Sequence, residues 1–159
     1  MKMTFRKKIR IGVIGGAAPG PDSASAAYSA GRLIAEKGAL LVCGGLSGVM
    51  EMAARGCHEA GGLSIGILPG ENRDAANRYI DIPLATGMGY SRNALVVMNS
   101  DALIAVGGKY GTLSEIAFSF VQGKPVFGIN TWDIKGVQPV RSPEEAVGKA
   151  FRHFFPLLK

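Results

Sequence analysis

Short apolar runs that stop at glycine set the frame of this sequence. Arg10-Ile11-Gly12-Val13-Ile14-Gly15, Ala39–Cys43, Leu63–Leu68 and Ala102–Val106 are each five or six residues long, and each is followed at once by glycine or by Pro69-Gly70. Runs of this length without strict alternation fit strands buried on both faces of a sheet. The stretches between them carry helix signals. One helix is expected over about Ala24–Lys37, capped by Asp22 or Ser23 and stopped by Gly38; another over about Val49–Ala60, ended by Gly61-Gly62. After a polar loop at Glu71–Arg78, Tyr79–Leu84 reads as a weaker strand, and Met88–Asn99 places Met88, Leu95 and Met98 at helical spacing. Leu113–Gln122 reads as a helix, Lys124–Ile129 as a strand and Val137–Val140 as an edge strand. Ser142-Pro143-Glu144-Glu145 opens a last helix to about Phe155, with serine at the cap, proline at the first position and glutamate at the third. Strand–helix alternation of this kind predicts an α/β fold, a doubly wound parallel sheet with helices on both faces. It occupies 10–159 as one domain behind a basic tail at 1–9.

The bulk properties exclude several classes. A chain of 159 residues, 47% of them hydrophobic, is long and apolar enough for one sizeable core. Its 23 glycines have no fixed period, which excludes collagen, and no apolar stretch reaches the ~18 residues of a membrane span. The net charge of +6 is confined to the ends: residues 1–10 carry five basic side chains and no acid, while residues 11–140 carry nine basic and ten acidic ones. A basic tail without interleaved aromatics does not make a nucleic-acid platform. Neither a nucleic-acid nor a membrane partner is expected. The first residues lack the apolar segment of a signal peptide, so the cytoplasm is the expected location. Cys43 and Cys57 have no metal-site or redox-pair spacing, and Cys43 reads as a small core residue. No metal site is expected.

Common site motifs fail in turn. The first turn, Gly15-Gly16-Ala17-Ala18-Pro19-Gly20, does not match the dinucleotide pattern GxGxxG, and the second strand ends without the required acid. No stretch supplies a phosphate loop of the GxxxxGK[ST] type. Gly45-Leu46-Ser47-Gly48 misses the GxSxG spacing of a serine hydrolase, and His58 and His153 have no evident triad role. What survives is the stretch Val106–Glu115. Gly107, Gly108 and Gly111 let the chain turn sharply from strand into helix and let a ligand approach the backbone. Bare amides at the following helix N-terminus make an anion site with the helix dipole. The turns Gly15–Gly20, Gly44–Gly48 and Gly107–Gly111 should meet at the C-terminal edge of the sheet. Gly15, Gly16, Gly44, Gly45 and Ser47 then line a crevice around Gly107, Gly108, Lys109, Tyr110, Gly111 and Thr112. Glu115 has two readings: the third-position glutamate of a capping box Thr112-Leu113-Ser114-Glu115, or a carboxylate facing the ligand. Arg92 is either a solvated face residue or a phosphate clamp. Lys109 is either solvent-exposed or a phosphate tether.

These residues carry a resemblance. Gly44–Glu51, Ala60-Gly61-Gly62, Gly66–Gly70, Arg92-Asn93, Ser100-Asp101-Ala102 and Gly107–Glu115 are similar, in order over about Ile11–Asn130, to the Lonely Guy-like (SLOG) superfamily, long labelled possible lysine decarboxylases. The resemblance implies a Rossmann-like three-layer α/β/α sandwich that forms dimers or higher oligomers such as tetramers. The decarboxylase label does not suit the chain, since no lysine is marked for a Schiff base. One branch holds cytokinin-activating phosphoribohydrolases, which cleave the base from a nucleoside 5′-monophosphate and carry PGGxGTxxE with an upstream RK. Thr112, Glu115 and Arg92 match that pattern; Gly107, Lys109 and Asn93 depart from it, replacing proline, glycine and lysine. The other branch holds molybdenum cofactor carrier proteins with VGGxxGTLSE and RN, which Val106–Glu115 and Arg92-Asn93 match. The resemblance therefore implies a phosphate-bearing nucleotide-like or pterin ligand, with molybdenum cofactor as possible cargo and no required cofactor. Were the chain an enzyme, Glu115 and Arg92 would be its catalytic residues.

Overall fold

The computed structural model describes residues 8–154. Among these, seven strands form one sheet: β1 (Arg10–Gly15), β2 (Leu40–Cys43), β3 (Leu63–Leu68), β4 (Ile82–Ala85), β5 (Ala102–Val106), β6 (Val126–Ile129) and β7 (Val137–Pro139). Their order is β4-β3-β2-β1-β5-β6-β7, and every pairing is parallel. Helices α1 (Pro21–Glu36), α2 (Val49–Glu59), α3 (Arg92–Met98), α4 (Tyr110–Val121) and α5 (Pro143–Phe154) cover the two faces. This is a Rossmann-like α/β sandwich.

The period of two along the strands sorts the core into two layers. Ile11, Val13, Leu41, Ile104 and Val106 pack with Ala27 and Ile34 of α1, Ala53 of α2 and Phe151 of α5. Ile14, Val42, Leu103 and Ala105 pack on the other face with Val96 and Val97 of α3 and Ile116 of α4. β1 lies in the middle, with Ile11 opposite both Leu41 and Ala102. The chain leaves β1 towards β2 and returns beside it as β5, so the connections on either side run apart. A crevice opens at such a point, beyond the strand C-termini.

Several boundaries differ from expectation, each for a physical reason. The fourth strand begins at Ile82, because residues before it are held sideways. Ser64 Oγ donates to the Tyr79 carbonyl at 3.0 Å, and Asp81 Oδ2 accepts the Ser64 N–H at 2.8 Å. Helix α1 starts at Pro21 with Gly20 at its cap, so neither Asp22 nor Ser23 caps it by a side chain. The stretch expected as one helix from Met88 divides into a 3-10 turn, Gly89–Ser91, and α3. Helix α4 starts at Tyr110, which removes the capping-box reading of Thr112–Glu115. The last helix follows its signals: Ser142 Oγ accepts the Glu145 N–H at 3.2 Å, and the Glu145 carboxylate accepts the Arg141 N–H at 2.8 Å. Most of the basic tail, residues 1–7, and the expected helix end at Phe155 lie outside the described residues. Among those described, no helix is long and apolar enough to cross a membrane.

Candidate functional site

The loop after β5 has the geometry that its glycines permit. Gly107 (φ 54°) and Gly108 (φ 101°) adopt left-handed conformations, and a Cβ on Gly108 would collide with Thr112 Oγ1 and Cβ. The Gly107 N–H donates to the Ile129 carbonyl at 3.0 Å, which ties the loop to β6. The turn leads into α4, whose first amides receive no side-chain cap. The loop after β1 leads likewise into the uncapped start of α1. Helix α2 differs: its first amide, Val49 N–H, donates to the Gly16 carbonyl at 3.0 Å. Two helix N-termini thus remain open, and a negative charge between them is favoured by both dipoles.

Between these loops lies a crevice of about 540 Å³, a size suited to a small ligand. Arg92, at the start of α3, and Glu115, in the second turn of α4, enter it from the same face of the sheet. Arg92 is only 8% exposed, and its Nε is buried without a hydrogen-bond partner. Glu115 is 6% exposed. The ion pairs of the described residues lie elsewhere, so these two groups approach as charges without closing into a salt bridge. Burial pushes the Glu115 carboxyl up to about 8, while the nearby Arg92 charge holds it down. Burial pulls Arg92 below its ordinary range, and the Glu115 charge acts to raise it. At neutral pH the site therefore holds a guanidinium and a largely protonated carboxyl, which is a donor-rich pocket suited to an anion.

Most residues singled out in the sequence meet here. Gly15, Gly16, Gly44, Arg92, Asn93, Gly107, Gly108, Lys109, Gly111, Thr112 and Glu115 all line the crevice. Asn93 also braces it: Nδ2 donates to Ser114 Oγ at 3.1 Å and reaches the Gly111 carbonyl at 3.5 Å, joining α3 to α4. Three residues fall outside the lining. Gly45 turns away to pack on Leu68 and accepts the Asn77 N–H at 2.9 Å; Ser47 lies beyond the wall; Tyr110 is 80% exposed, its ring 5.9 Å from that of Trp132. Met50, Leu46, Ser23 and Tyr90 line the crevice without having stood out in the sequence. Tyr90 had one available signal: it lies two residues before Arg92. Cys43 is fully buried, its thiol pushed up to about 11 by burial, as befits an inert core residue rather than a nucleophile.

The comparisons with known proteins agree with the fold. A family model, the SLOG cluster4 family, matches residues 8–151. An uncharacterised protein from Archaeoglobus fulgidus is 47% identical over 142 residues, covering 89% of this chain and 93% of its own length. A probable cytokinin riboside 5′-monophosphate phosphoribohydrolase from Oryza sativa is 35% identical over 112 residues. That match takes in 67% of this chain and 46% of the plant protein, so the chain spans about half of that relative. Among solved structures, the molybdenum cofactor binding protein from Rippkaea orientalis matches with a TM-score of 0.85 at 35% identity, covering 96% of this chain and 99% of that one.

Proposed function

The chain belongs to the SLOG cluster4 family, and from that premise we propose that its crevice holds a small phosphate-bearing ligand, nucleotide-like or pterin, and that the protein carries or stores molybdenum cofactor. One observation carries the reading. Arg92 is a buried guanidinium with an unpartnered Nε, aimed into a crevice rimmed by two uncapped helix N-termini. A buried cation without a counter-ion is costly unless a ligand supplies the charge. A phosphate does so by accepting from the guanidinium and from the Gly107–Thr112 amides. The solved relative from Rippkaea orientalis supports the cofactor as cargo.

A second reading rests on Glu115. A carboxyl with a pKa of about 8 keeps its proton at neutral pH. It could then protonate a leaving base, as a phosphoribohydrolase requires. Arg92 would hold the 5′-phosphate, and Glu115 in its ionised form would face the ribosyl cation. The plant relative supports this alternative.

One pair of measurements separates them. The protein is incubated with AMP and analysed for free adenine, and its melting temperature is followed with molybdenum cofactor. Cofactor-dependent stabilisation without adenine release is the expected result. Sustained adenine release that Glu115→Ala abolishes would replace the carrier reading with the hydrolase. The family reading also carries the proposal that the chain forms homo-oligomers, for which α4 offers the exposed apolar residues Phe118 and Val121.

A further inference from the structure

The loop between β6 and β7 belongs to no motif of the sequence, yet two of its side chains grip the glycine turn. Thr131 Oγ1 donates to the Gly107 carbonyl at 2.6 Å. Trp132 Nε1 donates to the Lys109 carbonyl at 3.1 Å. Neither Thr131 nor Trp132 lines the crevice, so the Gly107 carbonyl is drawn to its outer side; the Lys109 carbonyl is shared between Trp132 and the Leu113 N–H, which donates to it at 2.9 Å as the first bond of α4. In a trans peptide the carbonyl and the following N–H point in opposite directions. Fixing the Gly107 carbonyl outside therefore turns the Gly108 N–H inward, and the Trp132 bond fixes the Lys109 end of the same turn.

The loop is built to deliver these two side chains. Asn130 takes a left-handed conformation, φ 47°, which among the described residues is otherwise confined to glycine. The chain then folds back on β6, where Thr131 Cγ2 lies 2.7 Å from the place a Cβ on Gly128 would take. On the far side the Trp132 ring rests 5.9 Å from the Tyr110 ring, at an interplanar angle of 35°. The brace is thus anchored to β6 at one end and to the first residue of α4 at the other.

We propose that Thr131 and Trp132 are positioning residues of the anion site, Thr131 holding the Gly108 amide towards the crevice and Trp132 holding the Lys109 end of the turn in place. The proposal rests on reading the Gly107–Thr112 turn as the place where a phosphate binds. It also makes the single tryptophan of the chain a reporter of that turn.

The test compares Thr131→Val, Thr131→Ser and Trp132→Phe with the parent protein, using AMP as the probe. Amide NMR spectra are recorded without ligand, and affinity is measured by calorimetry. Loss of either hydrogen bond is expected to weaken AMP binding by about tenfold and to shift the Gly108 or Tyr110 amide resonance. Thr131→Ser keeps the hydroxyl, so it should stay within about twofold of the parent, with its Gly108 amide unshifted. Tryptophan emission of the parent should change as AMP binds. Parent-like affinity and parent-like amide shifts in both Thr131→Val and Trp132→Phe would overturn the proposal. Should the parent bind no AMP, the ligand reading fails, and the ligand-free amide shifts alone decide the brace.

Discussion

Arg92 lies where a side chain on Gly44 would be: its Nη1 and Cζ, together with Met50 Sδ, fill the space of a Cβ at that position. The obstacles are the ends of flexible side chains, and the Gly44 backbone is not left-handed. Gly44→Ala should therefore fold with a melting temperature within a few degrees of the parent, while displacing the guanidinium. AMP affinity is expected to fall by at least about tenfold, the scale of one lost charge-assisted contact. In a double-mutant cycle, adding Gly44→Ala to Arg92→Ala should cost little more, because the group that it displaces is already gone. Calorimetry on the four proteins checks this, and additive losses would mean that Gly44 acts independently of Arg92.

Glu115 gives the protein a pH signature. Its carboxyl ionises near 4.5 when solvated and near about 8 in the fold. The folded state thus binds more protons across that window, so this group's contribution is fully present below 4.5 and is lost as pH rises towards 8. Glu115→Gln removes the dependence. Its stability relative to the parent should be unchanged near pH 4.5 and higher by about 3 kcal/mol near pH 7, as denaturant melts at several pH values would show.

The same proton governs ligand binding. Above pH 8 the carboxylate faces an AMP phosphate that is already doubly charged. Affinity should drop by roughly tenfold between pH 7 and 9 in the parent and stay flat in Glu115→Gln. A flat profile in the parent would place the phosphate away from Glu115.

Gly108 offers a contrast to Gly44. Its φ of 101° is strained for any side chain, and the atom in the way belongs to Thr112 on α4. Gly108→Val should cost about 2–4 kcal/mol of stability and abolish AMP binding. Thermal denaturation and calorimetry read the two effects separately. Unchanged affinity would move the anion site off this turn.

The proposed assembly rests on α4, where Val121 is 84% exposed and Phe118 40% exposed. A second copy covering this face would explain apolar side chains left in water. Phe118→Lys with Val121→Lys should shift the protein to monomers in light-scattering chromatography, with the fold intact by circular dichroism.

The sequence made the sheet and the crevice legible because both depend on local chemistry. Buried strands need unbroken apolar runs, and left-handed turns need glycine, so β1, β2, β3, β5 and the Gly107–Gly111 turn were marked in place. The start of α4 was not. Thr112–Glu115 had the form of a cap, but the helix begins at Tyr110, its first bond running from the Leu113 N–H to the Lys109 carbonyl, which also accepts from Trp132, a residue remote in the chain. The Trp132 contact is tertiary and leaves no local trace. The reach of Met50 and Tyr90 into the crevice was hidden for the same reason: spacing tells which face a side chain takes, not what the next loop brings against it.

The strand order has a consequence for how such a site changes over time. The chain must travel from β4, at the edge of the sheet, back to β5 beside β1, a span of four strand spacings or roughly 19 Å. That span carries Tyr90, Arg92 and Asn93 over the strand ends. Its length is dictated by the number of strands it crosses, but what it carries is not. The sheet is a fixed pair of piers, and the bridge between them can be re-equipped with different reactive groups without moving either.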